Sequence, residues 1–306
     1  MGRRKKGNPV HGWLVLDKPL GMTSTQAVGA VRRAFNARKA GHAGTLDPLA
    51  TGILPIALGE ATKTVPFAVD GDKVYRFAVR WGVETATDDA EGSMTERSDT
   101  RPTRAAIAAL LPSFTGEIMQ VPPAFSAIKV DGERAYDLAR QGETVVLEER
   151  PVVIDILTLE SIPDADTAIF VAECGRGTYV RAIARDMGRA LGCYGHVIEL
   201  RRTRVGSFRE ESAVTIDALR TAAELDDDDQ LMALLSPIES ALEDIIGLPV
   251  GSDDAGRLGR GQSILLRGRD APVMAGEAYA MFKGQLIALG NVEKGEFHPT
   301  RVFNFG

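Results

Sequence analysis

The alternation of side chains between residues 73 and 81 is the feature that most narrows the fold of this 306-residue chain. Tyr75, Phe77, Val79 and Trp81 recur at every second position, and charged or small side chains separate them. Because successive side chains of a strand point to opposite faces, this pattern predicts a β-strand with one buried face. The chain therefore contains a sheet that is covered on at least one side.

Apolar residues at helical spacing predict helices elsewhere in the chain. One helix begins near Thr23 or Ser24, either of which can cap it, and continues to about Asn36. Another follows Thr178, which can cap it, and stops at Gly192. Further strands are predicted at residues 11–17, 114–119, 124–130, 152–160, 168–174 and 197–208, and further helices near 102–111, 134–141 and 216–245. This mixture is typical of the α/β (α+β) class.

Several stretches lack a clean period and are expected to connect these elements. Residues 37–52, rich in Gly, Pro, Thr and Ala, predict a long loop, and residues 84–100 predict an acidic connection. The aspartate run at 225–230 is best interpreted as a surface loop. Residues 248–252 indicate a domain boundary. Beyond it, short strands at 263–266, 278–282 and 285–289 predict a small, mostly β domain.

The formal net charge of −6 argues against a nucleic-acid partner until its distribution is considered. Residues 1–65 contain ten Lys or Arg against three Asp or Glu, a net charge of +7. Residues 171–210 contain eight against four, a net charge of +4, and acidic stretches separate the two blocks. If the fold brings these blocks together, a basic face for phosphates coexists with an acidic remainder. Scattered, solvated charge is the alternative.

Several common kinds of site are absent from the sequence. The four histidines are scattered, the two cysteines form no Cys-x-x-Cys pair, and neither a zinc pattern nor a phosphate-binding glycine loop occurs. A reaction without metal or cofactor is therefore favoured. No apolar run reaches the roughly 18 residues of a membrane span, and the basic N-terminus leads into no apolar segment. We expect a reduced, cytoplasmic setting and no membrane partner.

Asp47 lies in the most basic part of the chain, in a segment that does not look like core. An aspartate before a proline commonly starts a turn, and the residues alone support no more than that. Residues 40–55 read Ala-Gly-His-Ala-Gly-Thr-Leu-Asp-Pro-Leu-Ala-Thr-Gly-Ile-Leu-Pro. This string closely resembles the central motif of the TruB family of tRNA pseudouridine-55 synthases.

Other stretches resemble further motifs of the same family and occur in the family's order. They are residues 12–24, 58–63, 73–76, 121–129, 140–142, 177–181 and 196–202, which together cover most of residues 11–210. Two departures are visible. Ala43 stands where the family often has threonine, and the last 60 or so residues are shorter than the RNA-binding domain of many members.

The resemblance implies a fold as well as a reaction. We expect a pseudouridine-synthase-like catalytic domain at residues 1–247, with a mixed, largely antiparallel central sheet flanked by helices and loops. An RNA-gripping insertion is expected at about 120–150. Residues 248–306 are expected to form a small, mostly β, PUA-like domain that binds RNA.

The resemblance also assigns roles to residues. Asp47 is the expected nucleophile, attacking either the ribose C1′ or the uracil ring. Arg181 is the expected cation beside it, although Arg181, Arg185 and Arg189 recur every four residues as on a solvated helix face. Tyr75 is expected to stack on the base and to help remove the C5 proton, and a core strand tyrosine is the alternative.

Supporting roles follow from the same resemblance. Tyr179 and Leu200 are expected to line the uracil pocket, although Leu200 fits a core equally well. His42 is expected to fill the space that the flipped base leaves. Lys18, with Pro19, is expected to brace the tyrosine side of the site. Candidates for phosphate contacts are Arg38, Lys39, Lys63, Lys129, Arg201 and Arg202.

The sequence therefore favours a stand-alone enzyme that converts uridine 55 in the tRNA T-arm to pseudouridine, without a guide RNA or a protein partner. A guide-RNA-dependent subunit of a box H/ACA particle is an alternative with the same chemistry. An RNA chaperone that folds tRNA without chemistry is an alternative from another class. A metal-dependent hydrolase is a more remote fourth hypothesis.

Overall fold

The computed structural model describes residues 7–126, 128–130, 133–140, 146–225, 227–266 and 275–305. The helices in these ranges are α1 Ser24–Ala34, α2 Val65–Asp70, α3 Arg104–Leu110, α4 Ala135–Arg140, α5 Val180–Ala190, α6 Ile216–Glu224, α7 Asp228–Met232 and α8 Ser252–Gly259. Gln141 and Gly142, where the sequence predicted the end of a helix in the RNA-gripping insertion, lie outside the described residues.

The strands divide into one large sheet, one smaller sheet and two short hairpins. They are β1 Gly12–Lys18, β2 Ala40–His42, β3 Ala50–Leu58, β4 Lys73–Trp81, β5 Val83–Thr85, β6 Met94–Arg97, β7 Gly116–Gln120, β8 Lys129–Val130, β9 Glu133–Arg134, β10 Arg150–Asp164, β11 Thr167–Cys174, β12 Gly195–Val205, β13 Phe208–Arg209, β14 Val214–Thr215, β15 Ile246–Pro249, β16 Ile264–Leu265, β17 Gly276–Phe282, β18 Gln285–Glu293 and β19 Glu296–Val302.

The large sheet has ten strands in the order β14-β1-β3-β12-β4-β11-β10-β7, with β13 beside β12 and β2 beside β3. Two pairings, β1 with β14 and β3 with β12, are parallel, and the others are antiparallel. The expected mixed, largely antiparallel sheet is therefore confirmed.

Strand β4 lies at the centre of this sheet and has the bounds that its alternation predicted. Phe77 and Val79 are buried, whereas Arg80 is exposed. Helix α5 covers the apolar face, and its Ile183 and Met187 belong to the same core cluster. Burying each such side chain stabilises the fold by about 1.5–3 kcal/mol. The covering helix thus both completes the core and fixes the position of its own first turn.

Helix α1 begins where the sequence predicted. The Thr23 hydroxyl accepts a hydrogen bond from Gln26 N at 3.1 Å, and the Gln26 side chain accepts one from Thr23 N at 2.9 Å. This reciprocal pair is a capping box, which satisfies backbone donors that the helix itself leaves free. The helix therefore presents Ala27 and Val31 to the core.

The predicted loop at residues 37–52 is wrong at both ends, because β2 and the start of β3 lie within it. Strand β2 pairs antiparallel with β3, with Gly41 opposite Ala57. Backbone hydrogen bonds to a neighbouring strand hold these residues extended, and no side-chain alternation announces them. The connecting loop that carries Asp47 is consequently short and tied down at both ends.

The predicted acidic connection at residues 84–100 is also more ordered than expected. Strands β5 and β6 form a hairpin within it. Its acidic residues Glu84, Asp88 and Asp89 are buried, with 2–6% of their surface exposed. Buried carboxylates need partners, and these three form ion pairs with arginines of α5. The segment is therefore part of the packing around α5.

The smaller sheet confirms the predicted mostly β unit at the C-terminal end. Its strands lie in the order β15-β17-β18-β19-β16. Leu258 of α8 packs with Leu248 and Phe297 in a core of its own. A second cluster joins the two sheets, because Leu289 and Phe303 pack with residues such as Trp13. Strand β15 begins before residue 248, so the predicted boundary falls inside a strand of this sheet.

Within the described residues, no helix is long and apolar enough to cross a membrane.

Candidate active site

Asp47 lies in the short loop between β2 and β3. Its backbone carbonyl accepts a hydrogen bond from Ala50 N at 3.1 Å, so it does begin a turn. The Ser24 hydroxyl of α1 fixes the preceding residue, donating to Leu46 O at 3.0 Å and accepting from Leu46 N at 2.9 Å. The Asp47 side chain keeps 38% of its surface exposed. A rigid backbone therefore presents a carboxylate that remains accessible.

Arg181, in the first turn of α5, contacts this carboxylate directly. Its Nε lies 2.9 Å from Asp47 Oδ2. The rest of the guanidinium donates to Thr87 O at 2.8 Å and Phe125 O at 2.9 Å, and its Nη1 lies 3.5 Å from Asp89 Oδ2. Only 5% of the side chain is exposed. With its donors held by four residues, the guanidinium has one orientation relative to Asp47.

Two of the three arginines in the row on α5, Arg181 and Arg185, are buried, and the half-exposed Arg189 is paired. Arg185 Nη1 lies 3.0 Å from Asp88 Oδ2, and Arg189 pairs with Glu84 at 2.7 Å. Burial raises the pKa of Asp88 to about 6, against the lowering effect of Arg185. Sequence reasoning missed these acids, although Glu84 and Asp88 share the four-residue spacing of the arginines. The row anchors α5, and with it Arg181.

A cavity of about 280 Å³ opens beside Asp47. Four of the six residues that the sequence grouped with Asp47 by family likeness belong to its lining. Tyr75, Tyr179, Arg181 and Leu200 line it together with Asp47. His42 and Lys18 lie outside the lining. The fold thus assembles β4, β12, α5 and the β2–β3 loop around one space.

Tyr75 enters the cavity from β4 beside Arg202 of the neighbouring strand β12. Burial raises the pKa of Tyr75, and the hydrogen-bonded Arg202 opposes that rise. Arg202 is 1% exposed and donates to Ile53 O at 2.8 Å and Gly44 O at 3.1 Å. The predicted phosphate contact for Arg202 is therefore wrong. Strand alternation, which puts Leu200 and Arg202 on one face, was the signal for its burial.

Tyr179 stands at the N-cap of α5, so the predicted cap at Thr178 is wrong by one residue. The Tyr179 side chain accepts no hydrogen bond from the backbone N–H groups at the start of the helix. Instead, the buried Gln120 amide accepts from Tyr179 N at 2.8 Å and donates to Tyr179 O at 3.2 Å. Burial raises the pKa of Tyr179. Gln120 of β7 thereby fixes the backbone from which Tyr179 and Arg181 project.

Lys18 has no exposed surface, so it supports the site instead of contacting substrate. Its Nζ donates to the carbonyl oxygens of Pro19, Met22 and Pro48 at 3.0, 2.7 and 3.4 Å. Because Pro48 follows Asp47, Lys18 braces the aspartate side of the site. The sequence had suggested the tyrosine side. Burial lowers the pKa of Lys18 to about 8 although Asp47 raises it.

His42 lies half-buried on β2, and burial lowers the pKa of its imidazole. Among the predicted phosphate contacts, Arg38 and Lys39 are exposed. Lys63 instead pairs with Glu60 and donates to Val302 O at 2.7 Å, so it joins the two sheets.

Two predicted phosphate contacts remain. Arg201 lies 3.0 Å from Asp17 and 2.6 Å from Glu210. The Lys129 side chain lies outside what the structure describes.

The described part of the chain contains no group of three or more His, Cys, Asp or Glu side chains that could hold a metal ion. Cys174 and Cys193 are free and buried.

Comparison with known proteins agrees with this geometry. Residues 32–180 match the model of the TruB family pseudouridylate synthase N-terminal domain, and residues 181–243 match the tRNA pseudouridylate synthase B C-terminal domain. The chain is 59% identical to tRNA pseudouridine synthase B of Bradyrhizobium diazoefficiens, over 98% of this chain and 88% of that protein. It is 56% identical to the protein of that name from Agrobacterium fabrum, over 98% and 97%.

Solved structures show the same fold. The chain superposes on a chain of a Cbf5-Nop10-Gar1 complex with a TM-score of 0.73 and 26% identity, covering 96% of this chain and 85% of that one. With two matched domain models and relatives above 50% identity over nearly the whole length, the chain belongs to the TruB family of pseudouridylate synthases.

Proposed function

We propose that this chain is a tRNA pseudouridine synthase that converts uridine 55 of the T-arm to pseudouridine, with Asp47 as its nucleophile. The observation that carries the proposal is the contact between the Asp47 carboxylate and the Arg181 guanidinium at the wall of an accessible cavity. Relatives that match over nearly the whole chain have the name tRNA pseudouridine synthase B, which supports the choice of substrate.

The reaction breaks the C1′–N1 bond of the uridine, turns the base, and forms a C1′–C5 bond, while the C5 proton is exchanged for a proton on N1. It needs no oxidant or reductant. Asp47 supplies the electron pair, either to C1′ or to the uracil ring, and is released when the new bond has formed. Arg181 holds the carboxylate in one orientation, which is the main contribution a fixed ion pair can make.

Tyr75 has a more limited role in this proposal than the family likeness suggested. Burial raises its pKa, so its phenol stays protonated at neutral pH and is a poor base for the C5 proton. We assign it to packing against the uracil ring, together with Leu200 and Tyr179, which also line the cavity. An aromatic surface held by Arg202 suits a flat base.

The uridine must leave its stack to reach Asp47, which costs a few kcal/mol. His42 is assigned to the space that the base leaves. Burial lowers its pKa, so a neutral ring is available to stack there. The exposed Arg38 and Lys39 lie four and three residues before His42, and we assign them to contacts with RNA phosphates. We divide the chain near the predicted boundary, into a catalytic part at 1–247 and a PUA-like RNA-binding part at 248–306, and we add Ile246 and Gly247 to the second part because they belong to β15.

A stand-alone enzyme is favoured over a guide-dependent subunit. The solved complex with other proteins is 26% identical to this chain, whereas the relatives above 50% identity have the name of a tRNA enzyme. We also assign the activity to the cytoplasm, where the buried cysteines stay reduced. Modification of bare tRNA by the purified protein alone tests the first assignment, and a requirement for a guide RNA would overturn it.

The nucleophile is tested with Asp47→Asn, which preserves shape and removes the charge. Tritium release from tRNA labelled with 5-³H-uridine should fall below detection, while binding of the same tRNA persists. Asp99→Asn is the matched control, because its side chain is 96% exposed and should leave release unchanged. Release by Asp47→Asn at the wild-type rate would refute the role of Asp47.

The same variant separates enzyme from chaperone. If the protein only folded RNA, it would make no pseudouridine at position 55 in wild-type cells. Cells carrying Asp47→Asn would then have the same pseudouridine content as the wild type. Detection of that pseudouridine in wild-type cells and its loss in the variant supports the enzyme.

A further inference from the structure

The walls of the cavity beside Asp47 include positively charged residues that have no role in the proposed function. Its described lining contains Lys73, Arg176, Arg181 and Arg202, and Asp47 is the one carboxylate. Arg181 contacts Asp47, and carbonyl oxygens enclose Arg202. Lys73 and Arg176 therefore face the cavity without an ion-pair partner among its described lining residues.

Arg176 is the accessible member of this group. It lies in the loop between β11 and α5, between Gly175 and Gly177, and 72% of its side chain is exposed. Gly177 has a φ of +85°, a conformation that favours glycine and turns the chain sharply. The loop thus places a long, exposed cation at the opening of the cavity.

Arg176 has one carboxylate partner outside the cavity. Its Nη1 lies 2.6 Å from Oδ1 of Asp70, at the end of α2, and the Asp70 side chain is 55% exposed. Ion pairs with both partners this exposed stabilise little and are screened by salt. The pair can therefore open when a stronger anion arrives.

We propose that Arg176 binds a phosphate of the substrate RNA beside the flipped nucleotide, exchanging the Asp70 carboxylate for it. This rests on the proposed function, since it concerns the same RNA at the same cavity. A guanidinium suits the purpose because its planar donors match two phosphate oxygens at once. A base that enters the cavity leaves its own flanking phosphates at the opening, where Arg176 lies.

Lys73 strengthens this assignment. It is buried on the cavity wall, two residues before Tyr75 on the same side of β4. The Lys73 Nζ donates to Val69 O, and burial lowers the pKa of this amine while the nearby Asp70 and Asp72 raise it. In its protonated form, Lys73 makes the potential at this end of the cavity more positive. An anion at the opening is therefore favoured by Lys73 and bound by Arg176.

The exchange predicts effects of opposite sign for the two partners. Arg176→Gln should raise KM for T-arm RNA and leave kcat nearly unchanged. Asp70→Asn should lower KM, because it removes the competitor of the phosphate. In the double variant, the effect of Asp70→Asn should vanish, since it acts through Arg176. A purely structural ion pair would instead give effects of one sign.

Salt dependence gives the second readout. Each phosphate contact adds about 0.7–0.9 to the slope of log K against log salt concentration, or about threefold in affinity between 50 and 200 mM salt. Arg176→Gln should reduce the slope by that amount. Arg97→Gln and Asp99→Asn are the charge-matched controls, because these two residues form an exposed ion pair and neither lines the cavity. Both should leave the slope unchanged.

The proposal is overturned if Arg176→Gln leaves the slope unchanged, or if Asp70→Asn raises KM. It is also overturned if Asp99→Asn lowers KM as much as Asp70→Asn, because general charge then explains the effect. Failure of the proposed function looks different: the wild type would release no tritium, while the binding slopes still measure whether Arg176 contacts phosphate.

Discussion

Replacing Lys18 by methionine should remove part of the pH dependence of the free energy of unfolding. The Lys18 ammonium is fully buried, and three carbonyl oxygens accept its hydrogen bonds. Burial lowers its pKa from 10.5 to about 8, although the nearby Asp47 raises it. The unfolded chain therefore holds this proton more tightly than the folded protein does. Stability from this group is complete only above pH 10.5 and is lost as the pH falls through about 8.

The two pKa values set the size of the effect. The lowered pKa of Lys18 reduces the free energy of unfolding by about 3 kcal/mol at pH 7 and by about 2 kcal/mol at pH 9. The wild type should therefore gain about 1 kcal/mol relative to Lys18→Met over this interval. The methionine also leaves three carbonyl oxygens without a donor, which lowers stability by an amount that does not change with pH.

Urea unfolding at several values between pH 7 and 9 measures this difference, with the buried Trp13 and Trp81 as fluorescent probes. Subtracting the two proteins at each pH removes the contribution of every other titrating group. Lys18→Arg is a second comparison, because arginine stays charged throughout this range and should also lack the gain. Parallel pH profiles of the wild type and Lys18→Met would refute the argument.

Two further substitutions test how the site is held. Gly52→Ala should lower the free energy of unfolding by about 3 kcal/mol or more, because its Cβ would lie 2.2 Å from Arg202 O at a φ of +96°. Gly116→Ala is the control: at a φ of +90° with no atom within 4 Å, it should lose about 1–2 kcal/mol in the same urea assay, and equal losses would contradict the clash. Gln120→Leu should lower kcat by about 10–100-fold in tritium release, because it frees the backbone of Tyr179. A change in KM with kcat intact would contradict that positioning role.

Local patterns were sufficient for the elements that depend on local physics. The alternation from Lys73 to Trp81 marked β4 with its observed bounds, and Thr23 marked the start of α1 through a capping box that spans three residues. Such signals are readable because strand alternation and helix capping involve neighbours in the chain. Asp47 was different. The residues around it indicated only a turn, and its role as a nucleophile came from the resemblance to a family.

The predictions that were wrong involve residues whose neighbours in space come from distant parts of the chain. Arg202 belonged to a basic run that suggested phosphate contacts, yet the neighbouring strands β3 and β4 bury it. Glu84 and Asp88 looked like a solvated connection, yet arginines about a hundred residues later bury and neutralise them. A charged side chain has the same local pattern whether water or a distant counter-charge solvates it.

The sequence by itself determined the alternating strand, the capped helix and, through family likeness, Asp47 and four of the residues that meet it at the cavity. Only the tertiary structure decided what holds them there: the Arg181 contacts, the Gln120 brace on Tyr179, and Lys18 beneath the Asp47 loop. The physical reason is that burial and hydrogen-bond partners are properties of packing between segments far apart in the chain.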